Sequence, residues 1–517
     1  MMPGSVTPPS DLIGQLFMVD FTGLEPSPDV DRLIRDGAGG IVLFDKNIAE
    51  PVQIAALTNA LQRIAADAGQ PPLLISMDQE GGPVVRLRAG ATHFPSAMAF
   101  GAAGSEALVA SAAGITAREL RAVGVPMNFA PVLDVNTNPR NPVIGVRSYG
   151  EDPDRVGRLG AAAVRAMQVS GVAATVKHFP GHGDTAVDSH VRLPTVKHDF
   201  RRLDRVELAP YRAAIAAGCA AVMTAHIIFR ALDPDRPATV SPAVLGFLRE
   251  RLGFGGVIVT DSMAMDAIRG YARPGEAAVQ AVLAGADIVL ACGALDAQRE
   301  ALAAVREAVA SGRIPPTRIA DAVARVDALK RRVKLAERAT VRVEDVARRV
   351  GVPAHLIVAD RVAEAAVTLV RDPGALLPLC SGPVAVVDGA AGDGTAGRLA
   401  EALRAAGREA VCVPLVAGQA PGDGVLVLPV GHARRDTAET RTTAARVAQA
   451  AAETGPLVVI ATGAPYVLAD VPPQATCLAV YGDDPASLRA GARALAGLVT
   501  AQGVLPVSLP EPGSSVP

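Results

Sequence analysis

Short apolar runs alternate with longer stretches of helical spacing through the first 330 or so residues. The runs are QLFMVDF (15–21), GGIVLFD (39–45), PLLISMD (72–78), VPMNFAPVLDV (125–135), AATVKHF (173–179), AAVMTAHIIF (220–229), GVIVTDS (256–262) and ADIVLAC (286–292). Between them lie segments such as VQIAALTNALQRIAADAG and VELAPYRAAIAAG, apolar at i, i+3 and i+4 and closed by glycine, which is the spacing of amphipathic helices. A strand that is apolar at nearly every position is covered on both faces. Eight such strands with helices between them fit a closed parallel barrel. The pattern predicts an α/β fold, a (β/α)8 TIM-like barrel over residues 1–335. An open doubly wound sheet is the other arrangement with this strand count.

A second alternation begins near residue 358, with PVAVVDGA (383–390), EAVCVPLV (409–416), GVLVLPVG (424–431), PLVVIATGA (456–464) and CLAVYGDD (477–484). Five strands with intervening helices predict a smaller three-layer α/β sandwich domain over 358–517. Between the two alternations, IPPTRIADAVARVDALKRRVKLAERATV (314–341) reads as a long helix running into a linker at 336–357. The segment GAAGDGTAG that follows the first strand of the second set has neither GxGxxG nor GxxxxGK[ST] spacing, so it reads as a glycine-rich strand-to-helix turn.

Composition narrows the partners. Half of the 517 residues are hydrophobic and 20% are charged, which suits a packed globular chain. A net charge of −2 gives no electrostatic reason to expect nucleic acid or an anionic membrane surface. Aromatic residues make up 3% and tryptophan is missing, so a small hydrogen-bonded substrate fits better than a long polymer on a stacking platform. The five cysteines (219, 292, 380, 412 and 477) form no CxxC pair and read as buried free thiols of a reducing compartment. The N-terminus has no basic segment followed by an apolar one, and no apolar stretch reaches the roughly 18–20 residues of a membrane span. A cytoplasmic location is expected.

The strand ends carry the candidate chemistry. Asp20, Asp45, Asp78, Asp134, Lys177, His178, His226 and Asp261 all fall at or just past the end of an apolar run. In a barrel these ends share the rim where active sites are built, although aspartate there also caps the next helix. DQEGGPVVRLR (78–88) combines the Asp78 carboxylate, two glycines and Arg86, suited to grip vicinal hydroxyls from two sides. GVRSYGEDP (145–153) adds Arg147 in a glycine-bounded loop. KHFPGHGDTAVDSH (177–190) holds three of the eight histidines. Lys177 at a strand end needs a partner or a ligand. Asp188 and His190, two residues apart, are placed to hydrogen-bond. Such a pair fixes the imidazole tautomer and lets one ring act as acid and then as base. In VIVTDSMAMDAI (257–268), Asp261 is a second rim carboxylate or the cap of the next helix.

DQEGGPVVRL, APVLDVNTNP, VRSYGEDP, KHFPGHGDTAVDSH and VTDSMAM occur in this order over residues 78–265. In these motifs the chain resembles the family 3 glycoside hydrolases, specifically their β-N-acetylglucosaminidase branch. The resemblance implies a (β/α)8-like barrel, retention of anomeric configuration and a covalent glycosyl–enzyme intermediate. By position it implies Asp261 as nucleophile, His190 as acid/base and Asp188 as its dyad partner. It also implies that Asp78, Arg86, Arg147, Lys177 and His178 hold the non-reducing N-acetylglucosamine. The chain from about 358 looks like the second domain of many family members, without a shared motif. A retaining glycosidase ordinarily pairs two carboxyl groups about 5–5.5 Å apart; here His190 would replace the second.

Three alternatives remain at this stage. A metal hydrolase built on His178, His182, His190 and Asp261 is disfavoured because the spacing matches no common ligand motif, and no metal or other cofactor is expected. A phosphorylase could use the same site, since a histidine repels phosphate less than a glutamate would. A sugar-binding protein without catalysis is the third. The implied substrate is a small β-glycoside of N-acetylglucosamine, with peptidoglycan fragments as its expected source.

Overall fold

The computed structural model describes residues 10–189, 191–379, 382–389, 394–414, 424–431 and 438–511. The barrel strands are β1 (Phe17–Val19), β2 (Gly40–Val42), β3 (Leu74–Met77), β4 (Met127–Asn128) and β5 (Ala173–Phe179). After a short β6 (Thr195–Val196) come β7 (Ala221–Thr224), a short β8 (Ile228–Phe229), β9 (Val257–Val259) and β10 (Val289–Ala291). Eight of these form one sheet in the order β10-β1-β2-β3-β4-β5-β7-β9, while β6 and β8 pair apart from it. All eight run parallel. An isolated parallel bridge, Val259 to Ile288, joins the two outer strands. The sheet is thus a nearly closed barrel, as the doubly apolar runs require. Its strands are shorter than the runs: VPMNFAPVLDV is regular strand only at Met127–Asn128, because Pro126 and Pro131 donate no hydrogen bond to a ladder.

Local sequence sets the ends of the helices. Asp152 caps helix Pro153–Val169, its carboxylate accepting from the Asp154 amide at 3.0 Å, with proline at the first helical position. The GEDP half of the second arginine motif is therefore a helix start. Asp287, fully buried between β9 and β10, accepts from the Ile258 amide at 2.9 Å and pairs with Arg249, Arg318 and Arg325.

The second sheet has six strands, one more than predicted. Its order is β11-β16-β15-β14-β12-β13, with β11 Thr368–Arg371, β12 Val384–Asp388, β13 Ala410–Pro414, β14 Val425–Val430, β15 Leu457–Ala461 and β16 Thr476–Ala479. The extra strand β11 is the antiparallel one. It follows helix Pro353–Ala366 directly and is half-exposed at the edge, so it lacks the apolar run that marks the others. Period-two alternation sends Val384 and Val386 into one core with Leu399 and Leu403. Ala385 and Val387 enter another core with Ala444 and Ala448. Helices therefore cover both faces, which makes three layers.

Two sequence expectations change. The span 336–357 contains a 3-10 helix, Val343–Arg348, and the start of helix Pro353–Ala366. Cys219, Cys292 and Cys477 are buried free thiols, but Cys412 is exposed because it lies on the edge strand β13. Cys380 lies outside the described residues, as do residues 390–393 of the GAAGDGTAG turn. Among the described residues no helix is long and apolar enough to cross a membrane.

Candidate active site

A cavity of about 450 Å³ opens at the C-terminal rim of the barrel. Asp78, Glu80, Arg86, Lys177, His178 and Asp261 are among its lining residues. The strands deliver them: Asp78 follows β3, Lys177 and His178 end β5, and Asp261 lies two residues past β9. The turn after β3 needs its glycines. Gly81 and Gly82 have φ of +97° and +53°, and a Cβ on Gly82 would meet Ser96 Cα at 2.7 Å.

One wall is an ion network. Lys177 Nζ lies 2.7 Å from Asp78 Oδ1 and 2.6 Å from Glu80 Oε1. Arg147 grips Glu80 with two bonds of 2.9 Å and donates to the Val143 carbonyl at 3.1 Å. Arg86 reaches Asp78 and Asp45 at 3.4 Å each. Burial alone would push the Glu80 carboxyl up, but the charges of Arg147 and Lys177 outweigh it and hold the group well below the usual carboxylate range. Burial likewise opposes the charge on Lys177, and Asp78 and Glu80 outweigh it so that its pKa rises. The wall carries fixed charges in alternating sign, a rigid donor and acceptor surface for hydroxyl groups.

Asp134 sits behind the cavity. Fully buried, it accepts from His178 Nδ1 at 2.7 Å, from the His178 amide at 3.2 Å and from the His182 amide at 2.6 Å. Burial works against its charge, but His178 and His182 prevail and its pKa is lowered. The bond to Asp134 fixes the His178 ring and leaves Nε2 on the side away from Asp134. In the same cavity lining, Asp261 Oδ1 accepts from the Ser262 amide at 2.7 Å. His226 Nε2 holds the same turn through the Ser262 carbonyl at 2.9 Å.

The loop after β5 is tied to the barrel through His182, whose Nδ1 lies 2.7 Å from Thr185 Oγ1 and whose Nε2 lies 2.9 Å from Ser189 Oγ. Thr185 donates its own proton to the His182 carbonyl at 3.1 Å. Nδ1 is therefore the ring's donor and Nε2 its acceptor. Both nitrogens are engaged within the protein, which removes His182 from any metal ligand set. Burial lowers the His182 pKa to about 4, so the ring is neutral near pH 7. Gly183 lets this loop pass the preceding one, since a Cβ there would lie 1.9 Å from the Val135 carbonyl oxygen.

Six of the eight expected site residues, Asp78, Arg86, Arg147, Lys177, His178 and Asp261, thus line one cavity. Asp188 is half-buried on the loop next to Ser189 and does not line the cavity. His190 lies outside the described residues. Of the other strand-end residues, Asp20 pairs with Lys46 and caps the Gly293 amide, while Asp134 and His226 support neighbours from behind. Glu80 and Ser189 were not singled out from the sequence. Glu80 stands two residues after Asp78, on the same side of an extended chain, and that spacing was the available signal.

A parallel barrel whose rim gathers carboxylates and cations around a cleft of this size fits many enzymes, and comparison with known proteins assigns this one to the glycoside hydrolases. Within that class the chain belongs to family 3, because residues 10–329 match the Glycosyl hydrolase family 3 N terminal domain. The structure of a family 3 β-N-acetylglucosaminidase from Paenibacillus sp. str. FPU-7 is 41% identical, covers 97% of this chain and 98% of its own, and superposes with a TM-score of 0.86. Beta-hexosaminidase A of Pseudoalteromonas piscicida is 37% identical over 414 residues, covering 72% of this chain and 68% of its own. A β-glucoside phosphorylase structure at 24% identity shares the fold, with a TM-score of 0.84 over 97% of this chain and 94% of its own.

Proposed function

We propose that the protein is a retaining exo-β-N-acetylglucosaminidase that releases terminal N-acetylglucosamine from β-glycosides. The observation that carries this reading is that Asp261 and the Asp78–Lys177–Glu80–Arg147 network line the same 450 Å³ cavity. The volume lies within the roughly 300–1,000 Å³ of small-molecule sites and suits one pyranose ring. In this reading Asp78, Arg86, Arg147, Lys177 and His178 hold the ring hydroxyls and the N-acetyl group, and thereby orient the anomeric carbon toward Asp261. Arg147 places both of its carboxylate bonds on Glu80, so it also charges and stiffens that wall.

The carboxylate of Asp261 attacks the anomeric carbon. As the bond to the aglycone breaks, His190, oriented by Asp188, gives its proton to the leaving oxygen. The covalent glycosyl-aspartate then meets water, whose proton returns to His190, and Asp261 leaves with the configuration restored. Proton transfer by His190 is asked to supply roughly 10²–10⁴-fold of the rate. The proposed natural substrates are N-acetylglucosamine-bearing peptidoglycan fragments, met in the cytoplasm.

Product analysis on an aryl β-N-acetylglucosaminide, with and without phosphate, tests the reading in wild type, Asp261→Ala and His190→Ala. The expected result is free β-configured N-acetylglucosamine from wild type whether or not phosphate is present, and a trapped adduct on Asp261 with a slow-turnover substrate. N-acetylglucosamine 1-phosphate as the product would make the protein a phosphorylase. Unchanged turnover in Asp261→Ala would remove the mechanism. Fractionating the source cells tests the setting, and a mainly extracellular protein would contradict it.

A further inference from the structure

The opposite end of the barrel holds a larger cavity, of about 670 Å³, with six arginines in its lining. Arg118 and Arg121 come from the last two turns of helix Glu106–Ala122, and Ser170 is the C-cap of helix Pro153–Val169. Helices of a parallel barrel run against its strands, so this wall lies at the strands' N-terminal ends, away from the rim that holds Asp261. The segment from Arg338 to His355 supplies the remaining wall.

The charges there do not balance. Arg342, Arg348 and Arg349 share the Asp345 carboxylate at 3.9, 2.6 and 3.4 Å, and Arg342 also meets Glu344 at 2.9 Å. Arg118, Arg121 and Arg338 make no ion pair among the described residues. The nearby Glu119 is fully engaged by Thr92, the Gly351 amide and His355. Six guanidiniums therefore stand near three carboxylates, Asp345, Glu344 and Glu119, an excess of three positive charges around one hollow. Burial lowers the pKa of half-buried Arg121, and the charge of Arg338 lowers it further. Like charges gathered in a concave surface repel one another, and an anion seated among them relieves that repulsion.

We propose that this cavity is a second binding site, for a small anion that carries a diphosphate group. Guanidinium forks match phosphate oxygens two at a time. One phosphate would leave part of the excess charge uncompensated and most of the volume empty, whereas a diphosphate brings a second phosphate for the remaining guanidiniums of the same lining. Ser170 and Thr340 add hydroxyl donors to the same lining. Ala122, Val341 and Val352 offer an apolar flank for whatever the diphosphate is attached to. Occupation stabilises the fold by mass action, and it joins helix Glu106–Ala122 of the barrel to the connection leading into the second sheet.

Calorimetric titration of the full chain with inorganic pyrophosphate and with adenosine diphosphate, at matched ionic strength against sodium chloride, tests this. The expected result is saturable binding of both in wild type, weakened at least ten-fold in Arg121→Gln/Arg338→Gln. Tighter binding of the nucleotide than of pyrophosphate would assign the apolar flank to a nucleoside, and equal binding would assign the site to the diphosphate alone. The double variant loses two mutually repelling charges and keeps aryl-glycoside turnover, which reports that it is folded. Absence of binding in wild type, or equal affinity in wild type and the double variant, overturns the proposal. A single Arg118→Gln variant, expected to weaken binding less than the double change, repeats the test should the double variant lose turnover.

Discussion

His182 holds Ser189 across the loop that follows the fifth barrel strand, with Nε2 lying 2.9 Å from Ser189 Oγ. The serine stands between Asp188 and His190, so a buried neutral imidazole fixes the middle of the proposed acid/base segment. A geometric error of about 1 Å in a reacting group can cost 10²-fold in rate. His182→Ala is therefore expected to lower kcat by roughly 10–100-fold while KM for an aryl N-acetylglucosaminide changes little, because the cavity wall is untouched. Steady-state kinetics check the split, and a rise in KM with unchanged kcat would place His182 in sugar binding instead.

The same imidazole makes stability depend on pH. Its folded pKa of about 4 lies below the ordinary 6.5. The unfolded chain thus binds the extra proton first, and this stabilisation is complete above pH 6.5 and lost as pH falls toward 4. Between pH 7 and pH 5 the loss is about 2 kcal/mol. Denaturant unfolding at the two pH values, compared between wild type and His182→Gln, isolates the term. A smaller pH dependence is expected in the variant, and equal slopes would refute the assignment.

Glu80 is the counter-charge on which the cavity wall depends. Removing one partner of a buried pair leaves the other charge uncompensated and costs about 3–5 kcal/mol. Glu80→Gln keeps the shape but strips Lys177 and Arg147 of their common partner. The expected outcome is a lower thermal midpoint for the barrel together with a raised KM. A variant with wild-type melting and KM would show that Asp78 alone suffices for Lys177.

The contrast between Asp78 and Glu80 shows what a sequence makes legible. The barrel was readable because a strand covered on both faces must be apolar throughout, and eight such runs have few ways to pack. The rim followed from the same logic, since a polar residue ending an apolar run marks the strand's exit. Glu80 escaped because it lies in the turn, where its burial depends on Lys177 and Arg147, which are 97 and 67 residues away. Asp134 and His226 end apolar runs as Asp78 and Asp261 do, but whether a strand-end side chain faces the cavity or the layer behind depends on one residue of register. The edge strand β11 was missed for a related reason: half-exposed Leu369 and Val370 leave no doubly apolar run to find.

Asp287 gathers Arg249, Arg318 and Arg325 beneath the seam between β9 and β10. Asp287→Ala leaves three guanidiniums facing a buried void and removes the acceptor of the Ile258 amide. The site is remote from the cavity, so the expected result is loss of barrel stability by about 3–5 kcal/mol with near-normal kcat in whatever protein folds at low temperature. Differential scanning calorimetry with activity measured on the folded fraction checks both halves. A large fall in kcat in that folded fraction would mean that the seam also positions Asp261.

The second sheet reaches the proposed catalytic loop through Tyr466, whose hydroxyl accepts from Asn136 Nδ2 at 2.8 Å. Arg441 stacks on the Tyr466 ring, 5.2 Å from its centroid, and donates to the Pro139 carbonyl. The segment 136–141 held in this way reaches the loop at three points: Thr137 donates to Asp184 Oδ1 at 3.0 Å, Asn138 to the Asp184 carbonyl at 3.1 Å and Asn141 to the His182 carbonyl at 2.7 Å. One neutral hydrogen bond contributes about 0.5–1.5 kcal/mol. Tyr466→Phe is therefore expected to lower kcat by about two- to ten-fold without moving KM. If the effect travels through the His182 loop, the same change made in His182→Ala adds nothing, because the segment it steadies has already been released. Independent, multiplicative losses in the double variant would instead show that the second sheet acts on the site by a separate route.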